Sequence, residues 1–121
     1  MATMLAYFAY FKGWIFADFE NISPQKAHTL LNKSNNIILL DVRSKNEFQK
    51  DHIKGAIHIP REIWDVPNSY VNSERMTIVY SERGERSVEA SRILAKRGFK
   101  ILNLEGGMIF WIRAGYEVVK D

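Results

Sequence analysis

The sequence contains no cysteine among its 121 residues. Disulfides, thiolate metal sites and a cysteine nucleophile are therefore excluded for the chain as given. Only three prolines and seven glycines occur, which excludes a collagen-like chain. Hydrophobic residues make up 46% and charged residues 26% of the chain. These values and the length suit one folded domain with a single core.

Charge of one sign is not concentrated anywhere in the chain. The net charge is +3, and no run of five like charges occurs. The densest basic stretch, residues 83–100, is interleaved with glutamates, which is typical of a solvated helix face. We therefore expect no nucleic-acid partner.

A long hydrophobic run is also missing. Residues 4–19 are rich in aromatic side chains, but Lys12 interrupts the run after eleven residues, and a spanning helix needs about 20. This segment also shows neither the basic start nor the small-residue cleavage site of a clear secretory signal. We predict no membrane span, a cytoplasmic location, and an aromatic N-terminal arm over residues 1–19. We expect this arm to pack on the domain or to form a homodimer, with an interfacial membrane anchor as the alternative.

Short apolar runs alternate with helix-like segments over residues 20–121. The helix signals include Ser23 before Pro24, and Ser44 with Glu47 as a capping box for a helix around Asn46–Lys50. The sequence therefore predicts an α/β domain with a mainly parallel central sheet flanked by helices on both faces. The predicted strands are Ile37–Leu40, Gly55–Ile59, Thr77–Tyr80 and Ile101–Leu104, and the two later helices are Ser87–Arg97 and Met108–Arg113.

The polar loop after the third predicted strand is the main candidate site. It begins at Ser81 and contains Gly84 and Arg86. Functional sites in parallel sheets lie beyond the carboxyl ends of the strands. Backbone N–H groups at the start of the next helix can cradle an anion, and Arg86 can bind an oxyanion with its forked guanidinium. A plain connecting turn is the alternative interpretation.

Three segments, taken in order, resemble the signatures of the rhodanese-homology domain family. The middle segment, Ser81–Ser87, resembles the active loop of the family, Cys-x-x-Gly-x-Arg-Ser. The resemblance extends from about Ile22 to Val119 and implies a single rhodanese-like domain. The other two segments are Leu40–Arg43 with Glu47–Phe48 and His52–Pro60, and Leu104–Met108 with Trp111 and Gly115.

Ser81 stands where the enzymes of that family hold their catalytic cysteine. In those enzymes a thiolate accepts a sulfane sulfur, and the persulfide is stabilised by the N–H groups of the loop. A serine hydroxyl is not ionised near neutral pH and forms no persulfide. We therefore predict an inert Ser81 in a loop completed by Glu82, Arg83, Gly84, Glu85, Arg86 and Ser87.

The resemblance also assigns supporting residues and a loop type. The counterparts of Asp41 and Arg43 hold neighbouring loops through ion pairs and hydrogen bonds. Ser81 to Arg86 is six residues, which resembles the sulfur-transferring loop rather than the longer loop of the related phosphatases. A serine hydrolase is disfavoured because structural roles are expected for all three histidines, His28, His52 and His58.

Other marked residues receive mostly structural interpretations. Glu105–Gly107 is expected to be a turn with a positive φ at glycine, and Trp111 a core or rim residue. The stretch Arg61–Val71 is predicted to be a broken helix because of Pro67. For Trp64, a pocket role and a structural role are equally open.

Three functional hypotheses follow. The first is a catalytically silent binding or regulatory module that holds a small sulfur-containing anion or a partner protein's loop at Ser81–Ser87. The second is a sulfurtransferase in which Ser81 is a replacement of a natural cysteine. The third is an interaction unit that binds through the aromatic arm. No metal or organic cofactor is expected, since no cluster of residues has ligand spacing.

Overall fold

The computed structural model describes residues 19–60 and 74–120 of the chain. Over these residues strands alternate with helices, as the apolar runs predict, except that two strands follow each other on either side of residues 61–73, which are not described. The elements are β1 Glu20–Ile22, α1 Pro24–Lys33, β2 Ile38–Asp41, α2 Lys45–Lys50, β3 Ile57–His58, β4 Met76–Tyr80, α3 Glu85–Lys96, β5 Lys100–Leu104 and α4 Gly107–Arg113.

The five strands of the described residues form one sheet in the order β1-β5-β4-β2-β3. Every neighbouring pair is parallel. The predicted parallel α/β fold is therefore confirmed. Because all strands run the same way, their carboxyl ends meet at one edge of the sheet, where the candidate loop begins.

Successive side chains of each strand point to opposite faces of the sheet. Ile78 packs in the cluster that also holds Ala27 of α1 and Met108 of α4. The adjacent Val79 packs in the cluster that holds Ala90 and other residues of α3. Helices thus cover both faces, as predicted.

Two strands differ from the sequence prediction by more than one residue at an end. β1 was not predicted, because it has only three residues and only Ile22 among them is buried. β3 has two residues rather than five, since the chain still turns at Gly55, which has a φ of 87°.

The helix α3 begins at Glu85, two residues before its predicted start, because Gly84 adopts a left-handed conformation with a φ of 104°.

The helix caps agree with the prediction. The Ser23 hydroxyl accepts a hydrogen bond from Lys26 N at 3.1 Å, and Pro24 occupies the first turn of α1. Ser44 and Glu47 form both bonds of a capping box at the start of α2. Short local motifs therefore fix the two helices that precede the candidate site.

Several predictions concern segments outside the described residues. They are the aromatic arm apart from Phe19, the broken helix Arg61–Val71, and the position of Trp64. Within residues 19–60 and 74–120, no helix has the length and apolar character needed to cross a bilayer.

Candidate functional site

The Ser81 hydroxyl lies at the centre of the loop between β4 and α3. Ser81 is 1% exposed. Its Oγ accepts hydrogen bonds from Gly84 N at 3.1 Å and from Ser87 N at 3.2 Å. The backbone amides at the start of α3 therefore converge on this oxygen, as expected for a cradle at a helix N-terminus.

All hydrogen-bonding capacity of the Ser81 hydroxyl is used inside the loop. A hydroxyl has one proton and two lone pairs. Both lone pairs are accounted for by the backbone amides, and the proton is donated to Ser87 Oγ at 3.2 Å. Ser87 Oγ in turn donates to Gly84 O at 3.0 Å. Among the described residues, no side chain that could act as a general base is hydrogen-bonded to this hydroxyl, whereas an activated serine requires one.

The amino end of α4 fixes the loop from the other side. Met108 N donates to Ser81 O at 2.9 Å, and Ile109 N donates to Glu82 O at 3.1 Å. This approach requires Gly107, because a Cβ there would lie 2.3 Å from Ser81 O. The predicted positive φ is confirmed at Gly106 and Gly107. The contact of this turn with the loop was not predicted from the sequence.

Asp41 and Arg43 form a buried ion pair beneath the loop. Arg43 Nη2 donates to Asp41 Oδ2 at 2.8 Å, and the two residues are 1% and 0% exposed. Arg43 Nη1 reaches Glu82 Oε1 at 3.1 Å. Burial alone lowers the pKa of Arg43, but the hydrogen bond and charge of Asp41 outweigh it and raise the pKa above the ordinary value. These contacts connect Asp41 and Arg43 to the loop through Glu82, and their supporting role stays a prediction.

Tyr80 completes this buried network. Its hydroxyl accepts a hydrogen bond from Ile53 N at 3.1 Å, and the Arg43 guanidinium lies 5.7 Å from its ring centroid. Burial, assisted by the charge of Asp41, raises the pKa of Tyr80 well above its usual range. Tyr80 is therefore a neutral structural group at the base of the loop.

Arg86 is held by a carboxylate of the chain itself. Its Nη1 and Nη2 donate to Glu47 Oε1 and Oε2 at 2.7 and 2.8 Å. The Arg86 hydrogen bonds, with further help from Ser44 N, lower the pKa of Glu47 to about 2. In this structure the forked guanidinium of Arg86 therefore contacts the Glu47 carboxylate of the capping box. Binding of an external oxyanion by Arg86 stays a prediction.

A cavity of about 240 Å³ opens above Ser81, and we call it the loop cavity. It brings together most of the predicted loop residues and adds Glu47, which the sequence marked only as a helix cap. Ser87 lies beneath it at 0% exposure, and Asp41 and Arg43 support it from below. The lining residues are Glu47, Ser81, Glu82, Arg83, Glu85 and Arg86.

The three histidines have structural contacts elsewhere. His28 stacks on Tyr116 with ring centroids 4.0 Å apart. A ring nitrogen of His52 lies 2.8 Å from Phe48 O, and one of His58 lies 2.7 Å from Arg43 O. These contacts agree with the predicted structural roles. Trp111 is 3% exposed and belongs to the core. The core was one of the two positions predicted for it, the rim being the other.

Comparison with known proteins shows which family this chain belongs to. Residues 23–114 match the Rhodanese-like domain family. The chain belongs to this family. It has no cysteine with which to perform persulfide chemistry.

The relatives of this chain include named sulfurtransferases. A sulfurtransferase of Allochromatium vinosum is 30% identical over 103 residues, covering 84% of this chain and 92% of the relative. The thiosulfate sulfurtransferase GlpE of Ectopseudomonas mendocina is 30% identical over 96 residues, covering 78% and 86%. The crystal structure of a rhodanese-related protein from Thermoplasma volcanium has a TM-score of 0.78 at 26% identity, covering 85% of this chain and all of the other.

Proposed function

We propose that this chain is a catalytically silent rhodanese-like domain that acts as a binding or regulatory module. The observation that supports it is the position of Ser81, whose oxygen accepts from Gly84 N and Ser87 N where a sulfur would be needed. A serine in this position cannot become a persulfide. The relatives' sulfur transfer therefore does not carry over to this chain as given.

The proposed binding surface is the loop cavity, with Ser81–Ser87 as its rigid element. Among the charged residues that line it, Arg86 is paired internally with Glu47 and Glu82 with Arg43. Such pairing weakens attraction for a free anion. It favours a partner protein's loop over a small sulfur-containing anion as the occupant.

The alternative is a sulfurtransferase represented here by a Cys-to-Ser variant. The support for it is the intact cradle, because the N–H groups of Gly84 and Ser87 converge on one atom at position 81. A thiolate placed there would be stabilised by the same groups and by the start of α3.

Sulfur transfer from thiosulfate to cyanide by Ser81→Cys separates the two accounts. The parent chain and Ser91→Cys, which changes a fully buried serine of α3 outside the loop, are the controls. Turnover by Ser81→Cys alone favours the sulfurtransferase account. Silence of all three proteins favours the binding module, and turnover by the parent contradicts it.

The proposal also includes a cytoplasmic location and a homodimer formed through the aromatic arm, residues 1–19. Gel filtration with light scattering, before and after removal of this arm, tests the dimer. A mass that halves on removal supports it, and an unchanged mass contradicts it.

A further inference from the structure

The fold gathers cations at the edge of the sheet that lies opposite the loop. In a parallel sheet covered by helices, the first residues of the strands and the last residues of the covering helices lie at the same edge. Among the described residues, this amino edge carries five cations that we call the basic edge. They are Lys33 at the end of α1, Arg75 directly before β4, Lys96 and Arg97 at the end of α3, and Lys100 at the start of β5.

Strand pairing and short connections hold these cations on one side of the molecule. Met76, the first residue of β4, is paired with Lys100, the first residue of β5. Arg75 Nε donates to Asn36 O at 3.1 Å, which ties the start of β4 to the segment between α1 and β2. Residues 97–99 alone separate α3 from β5. Lysines and arginines that are dispersed along the sequence therefore lie together after folding.

Carboxylates do not balance the basic edge. Along the strands of the described chain, the carboxylates next to it are Glu74 and Glu20, and Glu20 lies 3.9 Å from the ammonium group of Lys26. The opposite edge differs, because the lining of the loop cavity contains three glutamates and two arginines. The fold thus places an excess of positive charge on the side away from the loop.

Helix stability accounts for only part of this arrangement. Lys33 and Lys96 lie in the last turns of α1 and α3, where a cation stabilises the helix dipole. Arg75 and Lys100 lie at the starts of strands, and sheets have only small net dipoles. A helix dipole therefore does not explain these two cations.

The aromatic arm joins the domain beside the basic edge. Phe19 leads directly into β1, whose first residue, Glu20, is paired with Leu102, two residues after Lys100. The charges of residues 1–18, on Lys12 and Asp18, cancel. Aromatic side chains favour the boundary between water and lipid headgroups. The arm has six of them before Phe19, which are Tyr7, Phe8, Tyr10, Phe11, Trp14 and Phe16.

We propose that the basic edge and the aromatic arm together form a docking surface for an anionic lipid bilayer. The arm contacts the headgroup region, and the basic edge binds the negatively charged surface. Either signal alone gives weak, reversible attachment, whereas the two together give stable binding. In this orientation the loop cavity, at the opposite edge, faces away from the bilayer. The homodimer proposed above concerns the arm in solution and is tested by a different measurement.

Flotation of the full chain with lipid vesicles tests the proposal. One vesicle is phosphatidylcholine alone, and in the other about 30% of the lipid is phosphatidylserine. We expect binding to the anionic vesicle to be at least about tenfold tighter, and to weaken strongly in about 1 M salt. Equal affinity for the two vesicles, or binding to neither, would overturn the proposal. Tighter binding to a single-stranded RNA than to the anionic vesicle would also overturn it.

Two double variants locate the charge that is responsible. Lys96→Gln with Lys100→Gln removes two exposed lysines of the basic edge. Lys45→Gln with Lys50→Gln removes two exposed lysines of α2, which lies beside the loop cavity, and gives the same net charge. We expect the first variant to bind anionic vesicles about thirtyfold more weakly, and the second no more than about threefold. Equal losses would show that net charge alone attracts the protein and would contradict the basic edge.

A second pair of variants tests the arm. Phe11→Ser should weaken binding to anionic vesicles about tenfold, because an aromatic side chain no longer leaves water. The matched control is Phe110→Ser, which removes a ring that is 45% exposed on α4. Equal affinities of these two variants would exclude the arm from the docking surface and overturn the proposal. If either aromatic variant does not fold, the exposed-lysine variants and the salt series decide it.

Discussion

Two polar regions of the molecule differ in how their atoms are bonded. In the loop, the Ser81 hydroxyl uses its proton and both lone pairs, and Arg86 is held at two points by Glu47. In β5, the buried Oδ1 of Asn103 accepts no hydrogen bond from the described residues.

This difference separates two kinds of polar group. Polar groups with internal partners hold the backbone in one arrangement, whereas a buried acceptor without a donor costs stability. Of the two regions, the loop is therefore the more completely bonded, as the rigid surface proposed for a partner protein requires.

The largest loss of stability is expected at Arg43, which lies beneath the loop. Arg43→Met leaves the Asp41 carboxylate buried and unpaired, and we expect a loss of about 4 kcal/mol in the free energy of unfolding. Urea denaturation followed by circular dichroism measures it. Arg83→Met, at an exposed position of the same loop, should change stability by no more than about 0.5 kcal/mol. Similar losses in the two variants would contradict the supporting role of Arg43.

The next largest effect is expected at Gly107. In Gly107→Ala the new Cβ would meet Ser81 O at 2.3 Å and Glu82 O at 2.8 Å, at a φ of +59°. We expect a loss of about 3 kcal/mol from the clash and the backbone strain together. The control is Gly115→Ala, where φ is +88° and nothing lies within 4 Å of the added Cβ. It should lose about 1 kcal/mol, from backbone strain alone. Equal losses would show that the contact between α4 and the loop contributes little.

A smaller loss is expected when the Ser81 oxygen is removed. Ser81→Ala leaves two buried N–H groups without their acceptor, which should cost about 2 kcal/mol. Ser91→Ala is the matched control, since Ser91 is fully buried in α3 and its Oγ has no partner among the described residues. Thermal denaturation of the two variants should show a lower melting temperature for Ser81→Ala only. A neutral Ser81→Ala would mean that the loop does not depend on its central hydroxyl.

The smallest effect depends on pH. Because folding lowers the pKa of Glu47 from 4.5 to about 2, its pairing with Arg86 stabilises the protein above pH 4.5. That contribution is lost as the pH falls toward 2. The pair is partly exposed, so we expect Glu47→Gln to lose only about 1 kcal/mol at pH 7.

The pH series provides the check on this pair. The difference in unfolding free energy between the parent and Glu47→Gln should shrink between pH 4.5 and pH 2. Glu117→Gln, at an exposed position, should track the parent throughout. A difference that stays constant with pH would exclude the charge of Glu47 as its cause.

Local patterns in the sequence were enough to predict most of the sheet. β2, β4 and β5 are mostly apolar and, apart from the first residue of β4 and of β5, buried throughout, because strands covered on both faces bury successive side chains. β1 contributes one buried residue, Ile22, and owes its place to pairing with β5 rather than to its own composition. A strand of this kind is defined by its neighbour, so its sequence alone did not predict it.

The candidate site shows the same division. The loop Ser81–Ser87 and the support from Asp41 and Arg43 were predicted from motif resemblance, and their functional role stays a prediction. The bond from Arg86 to Glu47 joins residues far apart in the chain. The unused oxygen of Asn103 depends on what surrounds a strand residue after folding. Only the assembled sheet reveals such relations.

The hydrogen bonds from α4 to Ser81 O and Glu82 O have a consequence for biosynthesis. They tie the loop to the last helix of the described residues, and β1, the first strand, pairs with the last strand, β5. During translation, the chain that has emerged as far as α3 still lacks these donors and the partner of β1. Contacts between distant residues form only after both have been made. The loop is therefore completed only when the C-terminal segment emerges from the ribosome. A nascent chain that stops before Gly107 contains Ser81 but lacks the two hydrogen bonds from α4.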